Sequence, residues 1–324
     1  NRFGKQAFLV LASLTSGVSV LLMAFTNSWT IVIPLNMLLN ASTCFFVPSR
    51  LALIAENATP QNRARLFGLM NLAWPIGGII GPLLGGYLAE SVGWGIVFMI
   101  GGAVSLAAVY PALMVRDAGT SEAKSSEKGE SIRDPKYLGP VSNLFAMQVL
   151  INTSMAGVNM ILPIYLSDRF GLSYAVIGAF FTGSNVLLVF TQLGGGIIAD
   201  RHGRRRLLLV CSALAPFAIA SWLLFDSWIA LLGVYCLAFG LWSLTWPPIL
   251  AILTDLLPTK LRGTGFGLNM TGSRLGFTIG PAIAGALYLF PGSAIPFAAS
   301  AIISALGVPF AYILKDKKAE AAKA

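Results

Sequence analysis

Ten apolar stretches separated by short polar loops run the length of the chain: 7–25, 29–49, 66–89, 94–115, 142–166, 174–199, 206–225, 228–250, 264–289 and 294–314. Each is close to the roughly 20 residues an α-helix needs to cross a bilayer. Charged residues make up only 11% of the chain, against about 25% in a soluble domain, so the solvent for most of this surface is lipid. The 34 glycines and 17 prolines lie inside many of the stretches, which membrane helices accept far better than soluble ones do. An open sheet is excluded because its edge amides would go unsatisfied in lipid, and no short alternating segments point to a barrel. The expected fold class is an all-α membrane protein.

The net charge of +9 would suit a nucleic-acid partner if it were clustered. With ten spans the loops alternate sides, and 20 of the 22 Lys and Arg fall on one of them: Arg2, Lys5, Arg50, Arg63, Arg65, five in 116–136, four in 201–206, Lys260, Arg262 and four after 314. The other side holds Arg169, and Arg274 lies within a span. This is the positive-inside asymmetry. It predicts a cell-membrane protein with both ends of this chain in the cytoplasm, bound to lipid and not to nucleic acid. Cys44, Cys211 and Cys236 sit in apolar stretches and the single histidine, His202, sits in a basic loop. These spacings suggest no disulfide framework, no metal site and no cofactor site, and no nucleophile–base pair points to catalysis.

The chain repeats itself. Shifted by 199 residues, Asn1 falls on Asp200, Asn27-Ser28-Trp29 on Asp226-Ser227-Trp228, Pro48 on Pro247, Glu56 on Asp255 and Arg63 on Arg262. Phe67-Gly68 falls on Phe266-Gly267, Gly77 on Gly276, Gly81-Pro82 on Gly280-Pro281 and Gly86 on Gly285. Parallel repeats about an axis along the membrane normal recur in secondary transporters. The expected organisation is a first half at 1–115 with four helices, a hydrophilic linker at 116–140, a six-helix half at 141–315 and a short tail at 316–324. The two helices of 142–199 precede the second copy only. The repeat therefore predicts two further helices ahead of Asn1 in a parent of twelve, and a chain that works as a monomer.

Two motifs carry a resemblance. The loop Gly196-Ile-Ile-Ala-Asp200-Arg201-His202-Gly203-Arg204-Arg205 joins two spans on the basic side, and a degraded copy opens the chain at Asn1-Arg2-Phe3-Gly4-Lys5. In 66–89, Gly68, Gly77, Gly81-Pro82 and Gly85-Gly86 follow a fixed spacing. The loop resembles the signature of the major facilitator superfamily, and the glycine pattern is similar to the fifth-helix motif of its drug–proton antiporter branch. The resemblance implies that Asp200, with Arg201, Gly203 and Arg204, latches one transport state against the start of a neighbouring helix, where the dipole favours an anion. It also implies that Gly77, Gly81, Pro82 and Gly85 form a tight seam between halves, as small-residue stripes do. The alternatives are a loop that only sets topology and glycines that only pack.

The chain also departs from that branch. Asn36 and Asn40 stand where the fourth-helix motif has Arg and Gly, and Gly95 where an Arg is usual. The resemblance gives that Arg a part in proton transfer, so coupling would be built differently here. No Asp or Glu lies deep in any of the ten stretches: Glu56, Glu90, Asp168, Asp200, Asp226 and Asp255 are all at ends.

Arg274 stands ten residues into its span, about 15 Å deep at about 1.5 Å per residue. Such an Arg costs about 2.5–3.5 kcal/mol on insertion scales. It is a candidate anchor for an anion or a carboxylate, or a structural donor to helix carbonyls. Gln148, Asn152, Met155 and Asn159 share one helix face, which suits either a cavity wall or bonding between helices. Tyr235, Phe239, Trp242 and Trp246 make an aromatic stripe at the same spacing, a pocket for flat ligands or packing. Asn71, Trp74, Asn185 and Gln192 complete the candidates for contact with a small-molecule substrate. The leading reading is a proton-coupled exporter of drugs or small amphipathic metabolites working by alternating access. A transporter of organic anions held by Arg274 is the second, and a scaffold or sensor that moves nothing is the third.

Overall fold

The structure is a computed structural model and describes residues 4–57, 63–115, 132, 134–258, 261–290 and 294–314. The linker segment 116–131, the tail 316–324 and the side chains of Asn71, Asp200 and 63–68 lie outside the described residues. Twelve α-helices follow in order: α1 Gly4–Ala24, α2 Trp29–Asn57, α3 Arg63–Val92, α4 Trp94–Ala107, α5 Val109–Met114, α6 Pro135–Phe170, α7 Tyr174–His202, α8 Arg204–Ala220, α9 Trp228–Leu244, α10 Trp246–Leu256, α11 Arg262–Tyr288 and α12 Ile295–Ile313. The pairs α4–α5 and α9–α10 each make one span broken at a single residue, Ala108 and Thr245. The second break precedes Pro247-Pro248, which cannot donate to the carbonyls a turn earlier. The ten apolar stretches thus each form a helical span. Among the described residues seven spans are long and apolar enough to cross a membrane. α2, α3 and α11 are not among the seven, and α11 is diluted by Gly, Ser, Thr, Asn and Arg274.

One expected boundary moves. The linker was to run to 140, but α6 starts at Pro135. A proline at the first helical position has a preset φ and lacks only an N–H that would be orphaned anyway, so the helix starts seven residues before the apolar run and extends for 36.

The chain divides into two compact units, the first of Asn1–Ser125 with Ser173–Ala179, the second of Ser126–Leu172 with Phe180–Ala324. In the first, α1 packs on α2 and α4. The approach of α1 to α4 is close: a Cβ on Gly17 would stand 2.6 Å from Leu106 Cδ2 and one on Gly102 2.5 Å from Leu21 Cγ. Leu9 and Ala112 close one end, with Val10, Phe46 and Val115 against them. In the second unit α6 is the central helix. Leu144, Met147, Met155 and Leu162 are fully buried, α6 packs on α11 and α12, and Ser154 Oγ donates to the Ser300 carbonyl at 2.6 Å.

The repeat reappears in element boundaries. α2 at Trp29–Asn57, shifted by 199, lands on Trp228–Leu256, the combined extent of α9 and α10. α4–α5 lands within a residue or two of α12 in the same way. The pairings match as well: α1 with α2 and α4, α8 with α9 and α12.

Candidate functional site

Among the described residues the polar stripe of α6 is bonded to α9. Gln148 and Asn152 are buried, Asn152 completely. Asn152 Nδ2 donates to the Gln148 carbonyl at 2.7 Å and to Gln148 Oε1 at 3.2 Å, and its Oδ1 accepts from Trp242 Nε1 at 3.3 Å. Two helical turns on, Tyr235 donates its hydroxyl to Asn159 Oδ1, and Asn159 Nδ2 donates to the Met155 carbonyl. Four expected substrate contacts, Asn152, Asn159, Tyr235 and Trp242, are therefore brought together as two hydrogen bonds between α6 and α9. The physical reason is that a buried amide needs partners in an apolar interior, and a neighbouring helix supplies them at no cost in solvation.

The aromatic stripe packs on itself, stacked at Tyr235–Phe239 and edge-on at Trp242–Trp246. Ring centroids are 5.5 Å apart for Tyr235–Phe239, 5.2 Å for Phe239–Trp242 and 5.1 Å for Trp242–Trp246. The ladder emerges at its far end, where Trp246 is 37% and Phe277 of α11 40% exposed and Trp242 meets Phe277 edge-on at 6.2 Å. Phe277 stands three residues after Arg274, on the same face of α11. Arg274 is exposed, and among the described residues no hydrogen bond or ion pair holds its guanidinium. Trp246 and Phe277 thus flank Trp242 as an open patch of two exposed aromatic residues, with the exposed Arg274 about one turn from Phe277 along α11. Sequence reasoning missed Phe277, although its spacing from Arg274 was readable. Of the weaker candidates, Asn185 is half-buried and donates to the Phe181 carbonyl at 2.9 Å, and Trp74 is 76% exposed.

The opposite face of α11 explains why Arg274 points outward. Gly272, Gly276 and Gly280 press on α6: a Cβ on Gly276 would stand 2.7 Å from Asn152 Cβ, and one on Gly280 would collide with the Thr153 carbonyl oxygen. Their repeat equivalents Gly77 and Gly81, with Gly85, were expected to form a tight seam. A Cβ at any of the three meets nothing within 4 Å among the described residues. Among the described residues the close approach of α3 is made by Pro82, one of the expected seam residues, and by Gly86, whose backbones abut Tyr174 and Gly178 in the first turns of α7. Both lie about 100° around the helix from the line of Gly77, Gly81 and Gly85. Glu90, one turn further, accepts the Ala175 amide at 3.0 Å, and Trp94 packs edge-on against Tyr174 at 5.4 Å. A carboxylate at a helix start satisfies an orphan donor and meets the dipole favourably.

At the basic loop Gly203 adopts φ 91°, ψ 130°, a conformation L-residues avoid, and so turns the chain from α7 into α8. Arg201 is exposed. Arg204 Nη1 pairs with Asp255 Oδ2 of α10 at 2.6 Å. The repeat carries the same charges at Lys5 and Glu56.

The sequence profile of the Major Facilitator Superfamily matches residues 1–150 and again 144–324. The chain is 26% identical over 333 residues to Multidrug resistance protein 2 of Bacillus subtilis (strain 168), covering 99% of this chain and 82% of that protein. It is 23% identical over 303 residues to the cis,cis-muconate transport protein of Acinetobacter baylyi (strain ATCC 33305 / BD413 / ADP1), covering 89% and 72%. Its fold is similar to the crystal structure of a bacterial homologue of the human lysosomal transporter Spinster, with a TM-score of 0.75 at 13% identity over 95% of this chain and 81% of that one. Loop signature, doubled helical repeat and profile agree, and the chain belongs to the Major Facilitator Superfamily of membrane transporters.

Proposed function

We propose that the protein is a proton-coupled exporter of amphipathic small molecules that works by alternating access. The observation that carries the reading is the open patch of Trp246 and Phe277 on the second unit, with Arg274 about one turn from Phe277 along α11. Aromatic faces recognise flat apolar bodies with little demand for a particular shape, which suits a substrate class defined by amphipathicity. A relative named for multidrug resistance that aligns over nearly the whole chain supports export. The two repeats would rock about a midplane site, with Asp200 latching one state and the Gly86–Gly178 contact holding another. Asp200→Asn should slow transport without lowering expression. The test of coupling is movement of an aromatic amphipath into everted vesicles carrying the full-length protein, driven by an imposed pH gradient and abolished by nigericin. Movement that ignores the gradient would exclude proton coupling.

Arg274 favours a second reading, transport of organic anions. An exposed guanidinium at that depth, unpaired among the described residues, is a bidentate site for carboxylate, and one relative is named for cis,cis-muconate transport. Competition of aromatic carboxylates against cationic dyes of equal size separates the two: the anion reading requires the carboxylates to win.

A further inference from the structure

Outside the transport patch, α8 and α12 leave an apolar groove of about 700 Å³ between them, walled by Leu209, Val210 and Ala213 on one side and Val308, Pro309 and Tyr312 on the other. One end of this groove is built differently from the rest. Arg205, in the first turn of α8, donates Nη2 to the Tyr312 carbonyl at 2.7 Å and lays its guanidinium 5.9 Å from the centre of the Tyr312 ring. Its Nε is buried and, among the described residues, has no hydrogen-bond partner. Arg206 is exposed and shares a helix face with Leu209, Val210 and Ala213 at spacings of three, four and seven.

We propose that this groove is a binding site for an anionic glycerophospholipid, with an acyl chain along the α8–α12 groove and the headgroup phosphate at Arg205 and Arg206. The groove wall is apolar and open, so hydrocarbon fits it and water does not. What distinguishes it from any lipid-facing crevice is the pair of cations at one end. Arg205 is fixed by Tyr312 with donor capacity left over, and a guanidinium has five N–H groups to satisfy. A phosphodiester supplies charge-assisted acceptors at a membrane interface, where basic pockets between helices hold such headgroups. The site binds lipid, not transported substrate, because its wall is apolar throughout and lies on helices that carry none of the patch residues.

The experiment is native mass spectrometry of the full-length protein titrated with dioleoyl-phosphatidylglycerol, dioleoyl-phosphatidylcholine or soluble glycerol 3-phosphate. Phosphatidylglycerol should bind several-fold better than phosphatidylcholine. Arg206→Gln, at an exposed position where folding is not at risk, should lower its affinity about fivefold, the scale for one basic residue at an anionic surface. Ala213→Trp should lower occupancy by filling the groove while leaving both cations in place. The proposal is overturned if the two lipids bind equally, if Arg206→Gln and Ala213→Trp both bind phosphatidylglycerol like the parent, or if glycerol 3-phosphate alone binds as tightly as the lipid.

Discussion

Gly86 of α3 and Gly178 of α7 meet backbone to backbone: a Cβ added to Gly86 would stand 3.2 Å from the Gly178 Cα, and one added to Gly178 3.3 Å from the Gly86 Cα. Each would also run into a main-chain carbonyl, of Tyr174 and of Pro82 respectively. Main chain within a helix cannot retreat as a side-chain tip can. Gly86→Val and Gly178→Val should therefore each cost about 1–3 kcal/mol, the range for forced overpacking, and should abolish transport. Thermal unfolding in detergent and a transport assay check both effects. Parent-like stability and transport in both variants would show that the contact can open freely.

The two copies of the glycine motif should respond unequally in this chain. Gly280→Ala pushes a methyl into α6, whereas Gly81→Ala gains helix propensity of up to about 1 kcal/mol and meets no described neighbour. Melting temperature should fall for the first and hold or rise for the second. An equal fall would mean that another helix covers the Gly81 face.

The Asn152–Trp242 hydrogen bond joins α6 to α9 inside the second unit. Hydrogen bonds between membrane helices average about 0.6 kcal/mol in double-mutant cycles and reach about 1.7. Asn152→Ala, Trp242→Phe and the double variant should give a coupling energy in that range by unfolding in denaturing detergent. Trp242→Phe keeps the aromatic ladder, so it should leave substrate affinity near the parent value. A large loss of affinity with unchanged stability would move Trp242 into the binding patch.

Arg274 separates three roles by substitution. For an anion anchor, Arg274→Gln should abolish binding of anionic substrates and Arg274→Lys should weaken it, since Lys keeps the charge but loses the planar fork. For a carboxylate partner, the Gln variant should shift the pH profile of transport, because removing a cation makes its partner easier to protonate. A purely structural Arg would give poorly folded variants whose surviving fraction transports normally. Its exposed position predicts the first outcome, read by substrate competition on the purified full-length protein.

Much of the fold was legible in the sequence because lipid imposes a simple rule: every backbone group must be bonded within its own span. Ten apolar runs therefore had to be ten helices. The 199-residue offset also survives into element boundaries, with Trp29–Asn57 and Trp228–Leu256 as the clearest pair. The start of α6 was misread because Lys136 and Tyr137 look like loop, while Pro135 begins a helix without needing an apolar face.

Which face of each helix meets which neighbour was not in the spacing. Gly77, Gly81 and Gly85 lie on one side of α3 and Pro82 and Gly86 on another, and it is the second side that α7 packs against within the first unit. Gln148, Asn152 and Asn159 announced a polar face, but a polar face in lipid is satisfied as well by another helix as by a cavity. The aromatic residues of α9 supplied that partner, and Arg274 was left on the open side because Gly276 and Gly280, opposite it, let α6 come close. Helix identity followed from local chemistry and the solvent; helix contact depended on shape complementarity between segments far apart in the chain, which only the tertiary structure decided.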